Sequence, residues 1–387
     1  MRLFRLDVDR VGDLIITCGF FLLIFTSPIV MLLTPQAQWS FNENRALAAI
    51  PHFPRNWDEW QHLGEGVENY FSDHFGYREW QIRRYNRELK KRFNKTITSN
   101  VLVGEQGWLY FTKNELIEDY LGEKPLSNTQ IEEILNKWAK READFAARGI
   151  RYLLVVAPNK QSIYPEYMPS QLLGRNGTTR LDQIRHRIED KGTPPTYWLD
   201  LSPSILTAKA YYRVFDKTDT HWNSHGAYTG YIQILDQLTD WFPDNNFSNQ
   251  FKFLEDTSGD GGDLAKMMLA EKDYKEIRPR YEIPSSCVTR TNATEFLQSA
   301  YEVASENEKG RRPVLTTCHA AKLKALIFRD SFTTRMLPFL AENFNTAVFA
   351  WQTYDPTVVE EAILKYQPDI VIEQVVERGL FLNGEDE

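Results

Sequence analysis

Three patterns of apolar and polar positions divide the sequence. Residues 14–33 are mostly apolar and uncharged, interrupted only by small or mildly polar residues and Pro28. A run of about 20 such residues is the length that crosses a bilayer as a helix. Within residues 67–91, Tyr70, Phe71, Phe75, Trp80 and Tyr85 fall at helical spacing. From residue 101 onward, short apolar runs alternate with amphipathic stretches. Runs of strand length lie at 108–111, 151–157, 196–200, 323–328, 346–350 and 369–373. Helical periodicity occupies 127–148, 179–191, 226–241, 333–343 and 358–366. In the first of these helices Ser127 is the expected N-cap, and Ile131, Ile134, Leu135, Trp138 and Phe145 form the stripe.

The run Tyr152-Leu153-Leu154-Val155-Val156 does not alternate, which suits a parallel strand buried on both faces. Strands alternating with helices predict an α/β fold, a three-layer α/β/α sandwich around a mostly parallel sheet. Residues 244–317 are the least regular, with a turn signal at Gly259-Asp260-Gly261-Gly262-Asp263, and read as loops or a small insertion over the sheet. The expected organisation is a cytoplasmic tip and signal-anchor helix at 1–35, a juxtamembrane helical segment at 36–100, and a catalytic domain at 101–387 with an irregular insertion around 244–317.

Charge and cysteine usage refine that picture. Arg2, Arg5 and Arg10 precede the apolar run and place the N-terminus in the cytoplasm. The run exceeds an ordinary signal-peptide core and no small-residue cleavage site follows closely, so an uncleaved anchor is expected. That implies a single-pass inner-membrane protein with its catalytic part periplasmic or otherwise extracytoplasmic. A net charge of -8 with no basic stripe argues against a nucleic-acid partner. Cys18 lies inside the span, leaving Cys287 and Cys318 as a candidate disulfide, although two buried free thiols would read the same way.

Candidate chemistry gathers in two motifs. Asp219-Thr220-His221-Trp222-Asn223 sets a carboxylate two residues before an imidazole, so that both can face one pocket. Arg329-Asp330-Ser331-Phe332 follows an apolar strand and precedes a helical pattern, which exposes Ser331 at the carboxyl edge of a sheet beside a helix N-terminus. Serine needs a base, and the base needs an orienting acid. The pair therefore supplies Ser331, His221 and Asp219 in those roles. Simpler readings exist: Asp219 or Ser331 could cap a helix. Asp219, His221 and His225 could hold a metal. Asn223-Ser224 reads as a helix start, which would separate His221 from His225 and oppose the metal site.

These motifs, in this order, resemble the alginate O-acetyltransferase J and X proteins, a branch of the SGNH hydrolase-like superfamily. The resemblance spans nearly the whole exported region: Glu43-Asn44-Arg45-Ala46-Leu47 with Pro51, then Phe71-x-Asp73-His74-Phe75-Gly76-x-Arg78 and Gly104-x-x-Gly107-Trp108-Leu109. Pro158-Asn159-Lys160, Tyr164-Pro165-Glu166, the Asp219-x-His221-Trp222 block, Gly262-Asp263-Leu264 and Arg329-Asp330-Ser331-Phe332 complete it. As in that branch, the Asp-x-His block precedes the serine. The chain ends soon after its last strand, which suits the J-type layout, without the carbohydrate-binding domain of the X protein.

The resemblance implies an SGNH-like fold and an O-acetyltransferase with Asp219 as orienting acid, His221 as base and Ser331 as nucleophile. It implies a polysaccharide acceptor and a membrane-bound partner supplying acetyl groups. No cofactor is expected, and no metal, because His221 must keep a nitrogen free to face Ser331. A carbohydrate esterase and a non-catalytic polysaccharide-binding assembly protein are the alternatives. Asn159 is a candidate second oxyanion donor if its strand ends beside that of Ser331; a turn-stabilising role is the alternative. Lys160, Trp222 and Arg329 are candidates for contact with an anionic or sugar substrate, or are structural.

Overall fold

A computed structural model describes residues 8–34, 37–40, 45–93, 98–175, 177–248, 251–283, 287–293 and 313–381. Arg2, Arg5, Glu43 and Asn44 lie outside the described residues. The chain divides into two compact units, residues 1–97 with 267–270, and residues 98–266 with 271–387.

The first unit contains helices α1 (Val8–Leu33), α2 (Trp57–His74) and α3 (Arg78–Phe93). Among the described residues, one helical stretch, Gly12–Leu33, is long and apolar enough to cross a membrane. Leu14, Ile16, Phe25 and Leu33 along it are exposed. Asn56 caps α2 by accepting the Glu59 N–H at 2.9 Å. The helical pattern of residues 67–91 proves to belong to two helices, broken at Phe75-Gly76-Tyr77, where Phe75 turns to an extended ψ of 125°. Arg45 donates to Asp73 at 2.9 Å and the His74 ring meets the Ala48 carbonyl at 2.9 Å, which joins two motifs some 30 residues apart.

The second unit is built on a seven-stranded sheet. Its elements in chain order begin with the short pair β1 (Val101–Val103) and β2 (Leu109–Phe111), then α4 (Asn128–Ala146) and β3 (Arg151–Ala157). Next come α5 (Arg180–Asp190), β4 (Trp198–Asp200), α6 (Ser202–Lys209) and α7 (Ser224–Trp241). A hairpin of β5 (Lys252–Asp260) and β6 (Lys275–Glu282) precedes β7 (Val288–Asn292) and β8 (Val314–Cys318). The chain continues through β9 (Lys324–Phe328), α8 (Thr333–Ala341), β10 (Thr346–Ala350), α9 (Pro356–Tyr366) and β11 (Ile370–Val376).

The sheet order is β4-β3-β11-β9-β10-β8-β7. The first five strands run parallel, and β8 and β7 add antiparallel at one edge. Alternation along the central strands explains their continuous apolar character. Leu153, Val155, Ile327 and Ile372 pack with residues of α6, α7 and α8 on one face, including Ile205, Tyr231 and Phe339. Tyr152, Leu154, Val156, Leu326 and Val371 pack with residues of α4, α5 and α9 on the other, including Trp138, Ile184 and Val358. The sheet is therefore covered on both sides, as expected for a three-layer SGNH hydrolase-like fold.

Among its described residues, the stretch 244–317, read from sequence as irregular, carries β5, β6, β7 and all but the last residue of β8. Its apolar alternation is weak for a physical reason. Most of β5 is exposed, and along β6 the buried positions are Glu276 and Pro279 while Ile277 is exposed, so no apolar periodicity is demanded. A disulfide between Cys287 and Cys318 joins the start of β7 to the end of β8 across their pairing.

Candidate active site

Parallel register places Phe328 level with Ala350 of β10 and Glu373 of β11, so Ser331 leaves the sheet at its carboxyl edge. Asp330 holds the turn: Oδ1 accepts the Phe332 N–H at 2.8 Å and Oδ2 accepts the Val376 N–H at 2.6 Å. With those donors taken by Asp330, the Ser331 hydroxyl is used elsewhere. It lies 2.7 Å from His221 Nε2.

His221 sits in a turn closed by the antiparallel bridge between Phe215 and Trp222. Its Nδ1 donates to Asp219 Oδ1 at 2.7 Å, and its backbone N–H donates to the same oxygen at 3.0 Å. Helix capping falls instead to Asn223, whose Oδ1 accepts the His225 and Gly226 N–H groups. Asp219 is thereby free to serve the imidazole. Burial alone would push His221 down, but the hydrogen bond and charge of Asp219, then the charge of Asp263, raise it above its ordinary value. Burial pushes Asp219 up, yet the His221 hydrogen bond and charge and the Arg335 charge hold it well below the usual carboxylate range.

Two elements clamp this turn onto the nucleophile. The Trp222 indole N–H donates to the Phe332 carbonyl at 2.9 Å, and Arg335 of α8 donates to the Trp222 carbonyl. Arg335 also pairs with fully buried Asp216 at 2.7 Å. From the other side, Glu276 of β6 accepts the Thr218 N–H at 2.8 Å and its hydroxyl at 2.6 Å. Gly262 is required at its position, because a Cβ there would meet the Asp219 Cβ at 2.5 Å. The segment without clear periodicity thus builds the acid side of the site.

The proposed substrate contacts fare differently. Trp222 is completely buried and spends its indole N–H internally. Lys160 is also buried; its ammonium binds the carbonyls of Leu109 at 2.8 Å and Lys217 at 3.1 Å, and burial pushes its pKa down to about 8. Arg329 is 4% exposed, stacks 4.0 Å from the Trp351 ring and donates to Thr334 Oγ1 at 3.0 Å. Each of the three is withdrawn from solvent and engaged by the protein's own groups. Asn159 follows β3, and β11 intervenes between β3 and β9, so its strand does not end beside that of Ser331. Its N–H donates to Glu377 at 2.8 Å and its Oδ1 accepts from Arg378 at 3.2 Å.

His225 is not part of the group. Its Nδ1 lies 2.8 Å from the Tyr281 hydroxyl, and its ring packs against Tyr212 and Phe253. Asp263 takes the place expected for it: Asp219, His221 and Asp263 bring one ligand atom each within 4.8 Å of one another. Both imidazole nitrogens are nevertheless engaged, so a metal would have to displace Ser331 or Asp219. Asp263, Asp216, Glu276 and Arg335 were missed by sequence reasoning. Gly262-Asp263 was the one signal pointing to any of them.

Residues 101–306, just over half of the chain, match the model of the SGNH hydrolase-like domain of the acetyltransferase AlgX. The chain belongs to this family. The matched span includes Asp219 and His221 and ends before Ser331. A probable alginate O-acetylase AlgJ of Pseudomonas aeruginosa is 26% identical over 264 residues, 65% of this chain and 61% of the relative. Its counterpart in Pseudomonas fluorescens is 22% identical over 242 residues, 59% of this chain and 56% of that protein. The chain thus spans about three fifths of the length of the relatives it matches. The solved O-acetyltransferase domain of Pseudomonas putida AlgJ is 15% identical, with a TM-score of 0.45, covering 74% of this chain and 93% of that one.

Proposed function

We propose that this family member is a membrane-anchored O-acetyltransferase, working through an acetyl-serine on Ser331. The observation that carries the reading is the continuous chain Ser331 Oγ to His221 Nε2 and His221 Nδ1 to Asp219 Oδ1, both links 2.7 Å long. His221 Nε2 takes the Ser331 proton as Oγ attacks the acetyl carbonyl, then returns it to the departing donor. A sugar hydroxyl next gives its proton to Nε2 and attacks the acetyl-serine, and Ser331 leaves with that proton. Asp219 keeps the ring oriented and stabilises the imidazolium. The Ser331 N–H, at the entry to α8, is the candidate oxyanion donor, a contribution of about 3 kcal/mol in such sites.

The names of the relatives support an alginate-like polysaccharide as acceptor. A membrane-bound partner would supply acetyl groups, and α1 would hold the remaining chain on the extracytoplasmic side. Acetyl-donor turnover with and without polysaccharide, in wild type, Ser331→Ala, His221→Ala and the double variant, tests the reading. Each single variant should abolish transfer and the double should be little worse, because both act in one step. Release to water alone indicates an esterase, and polysaccharide binding without turnover in wild type indicates an assembly protein.

A further inference from the structure

The turn after β5 approaches the acid side of the site more closely than chain connection requires. Asp263 Oδ2 lies 3.4 Å from His221 Nδ1, the nitrogen that already donates to Asp219. Asp263 Oδ1 accepts the Thr220 N–H at 2.6 Å, and the Asp263 N–H donates to Asp219 Oδ2 at 3.3 Å. One residue earlier, a side chain at Gly262 would collide with Asp219. The turn therefore grips both Asp219 and the peptide between Asp219 and His221.

We infer that Asp263 is a second carboxylate for His221, a positioning residue that shares the imidazolium with Asp219 and partly replaces it when Asp219 loses its charge. This rests on the acyl-transfer reading of the site. Asp219, nearer by 0.7 Å, takes the hydrogen bond, so Asp263 acts through charge and by fixing the 219–221 turn. The groups facing His221 are Asp219 on its own turn, Asp263 after β5, Arg335 on α8 and Asp330 beside the nucleophile. Two carboxylates this close repel each other: burial and the Asp219 charge both raise the Asp263 carboxyl. The charges of His221 and Lys160 offset that, and His221 does so most when protonated, which is the state the reaction must stabilise.

The test compares full-length wild type with Asp263→Asn, Asp219→Asn and the double variant, using p-nitrophenyl acetate as acyl donor. Asparagine retains an oxygen for the Thr220 N–H while removing the charge. Asp263→Asn should leave KM unchanged, lower kcat about tenfold, and move the acid limb of kcat/KM about one unit toward lower pH. Asp219→Asn should keep residual activity, and the double variant should fall below the product of the single losses. The same removal should lower the His221 pKa read by NMR in a Ser331→Ala background, where no turnover is needed. Absence of ester turnover in wild type would sink the acyl-transfer reading while this titration still reads Asp263. An unmoved His221 titration in Asp263→Asn, or a double variant no worse than Asp219→Asn, overturns the proposal.

Discussion

Replacing Arg335 by methionine removes the guanidinium that pins the His221 turn to the nucleophile helix, while keeping much of its apolar length. Among the described residues, Asp216, its fully buried partner at 2.7 Å, would keep as ion-pair partners only Arg278 at 3.7 Å and Arg213 at 3.9 Å. Burial already pushes the Asp216 carboxyl up to about 6, with Arg335 the largest opposing influence. A group raised in this way contributes stability that is present below its unfolded value of 3.8 and lost as pH climbs through its folded value. Removing Arg335 raises the folded value further, so the variant loses more than wild type above about pH 6. A rise of about two units gives an extra loss of about 2–3 kcal/mol at about pH 8. The missing hydrogen bonds add about 1 kcal/mol at any pH. Urea denaturation of the purified protein at about pH 5 and about pH 8 measures both parts. Asp216→Asn in the Arg335→Met background should recover most of the pH-dependent part. A destabilisation equal at the two pH values, or untouched by Asp216→Asn, refutes the reasoning.

Three further outcomes are expected. His221 must be neutral to act as a base and is raised above 6.5, so kcat/KM should fall as pH drops, with a midpoint above 6.5; a midpoint below it contradicts the assigned pairing with Asp219. Changing both Cys287 and Cys318 to serine opens a link spanning 31 residues, and the chain-entropy model puts the cost at about 3–4 kcal/mol, measurable by denaturation under non-reducing conditions. His225→Gln should be far milder than His221→Gln in ester turnover, and activity should survive chelation. Zinc-dependent recovery after chelation would instead support a metal at Asp219, His221 and Asp263.

Where each layer of the protein was legible depends on how its constraint is written in the chain. Strand β3 and helix α4 were readable because burial on two faces or one imposes an apolar run or a stripe. Asp219, His221 and Ser331 stood out as candidates because the proposed chemistry needs those residue types, and the two-residue spacing in a turn already sets the Asp219 carboxylate beside the His221 imidazole. The hairpin of β5 and β6 escaped notice because its exposed positions tolerate charge. Lys160, Trp222 and Arg329 carry side chains suited to a substrate, and only tertiary packing turned them inward, where carbonyls and rings satisfy them.

The sequence by itself determined the apolar helix and the two-sided sheet and pointed to the Asp219-x-His221 and Ser331 motifs of the proposed relay, since each follows from local periodicity or from residue types within a short motif. The meeting of Ser331 with His221 across 110 positions does not. Tertiary structure alone decided that Asp263, Glu276 and Arg335 brace the His221 turn. Their contacts join residues as far apart as 113 positions, and pairing at that separation depends on how strands and helices pack rather than on any local pattern.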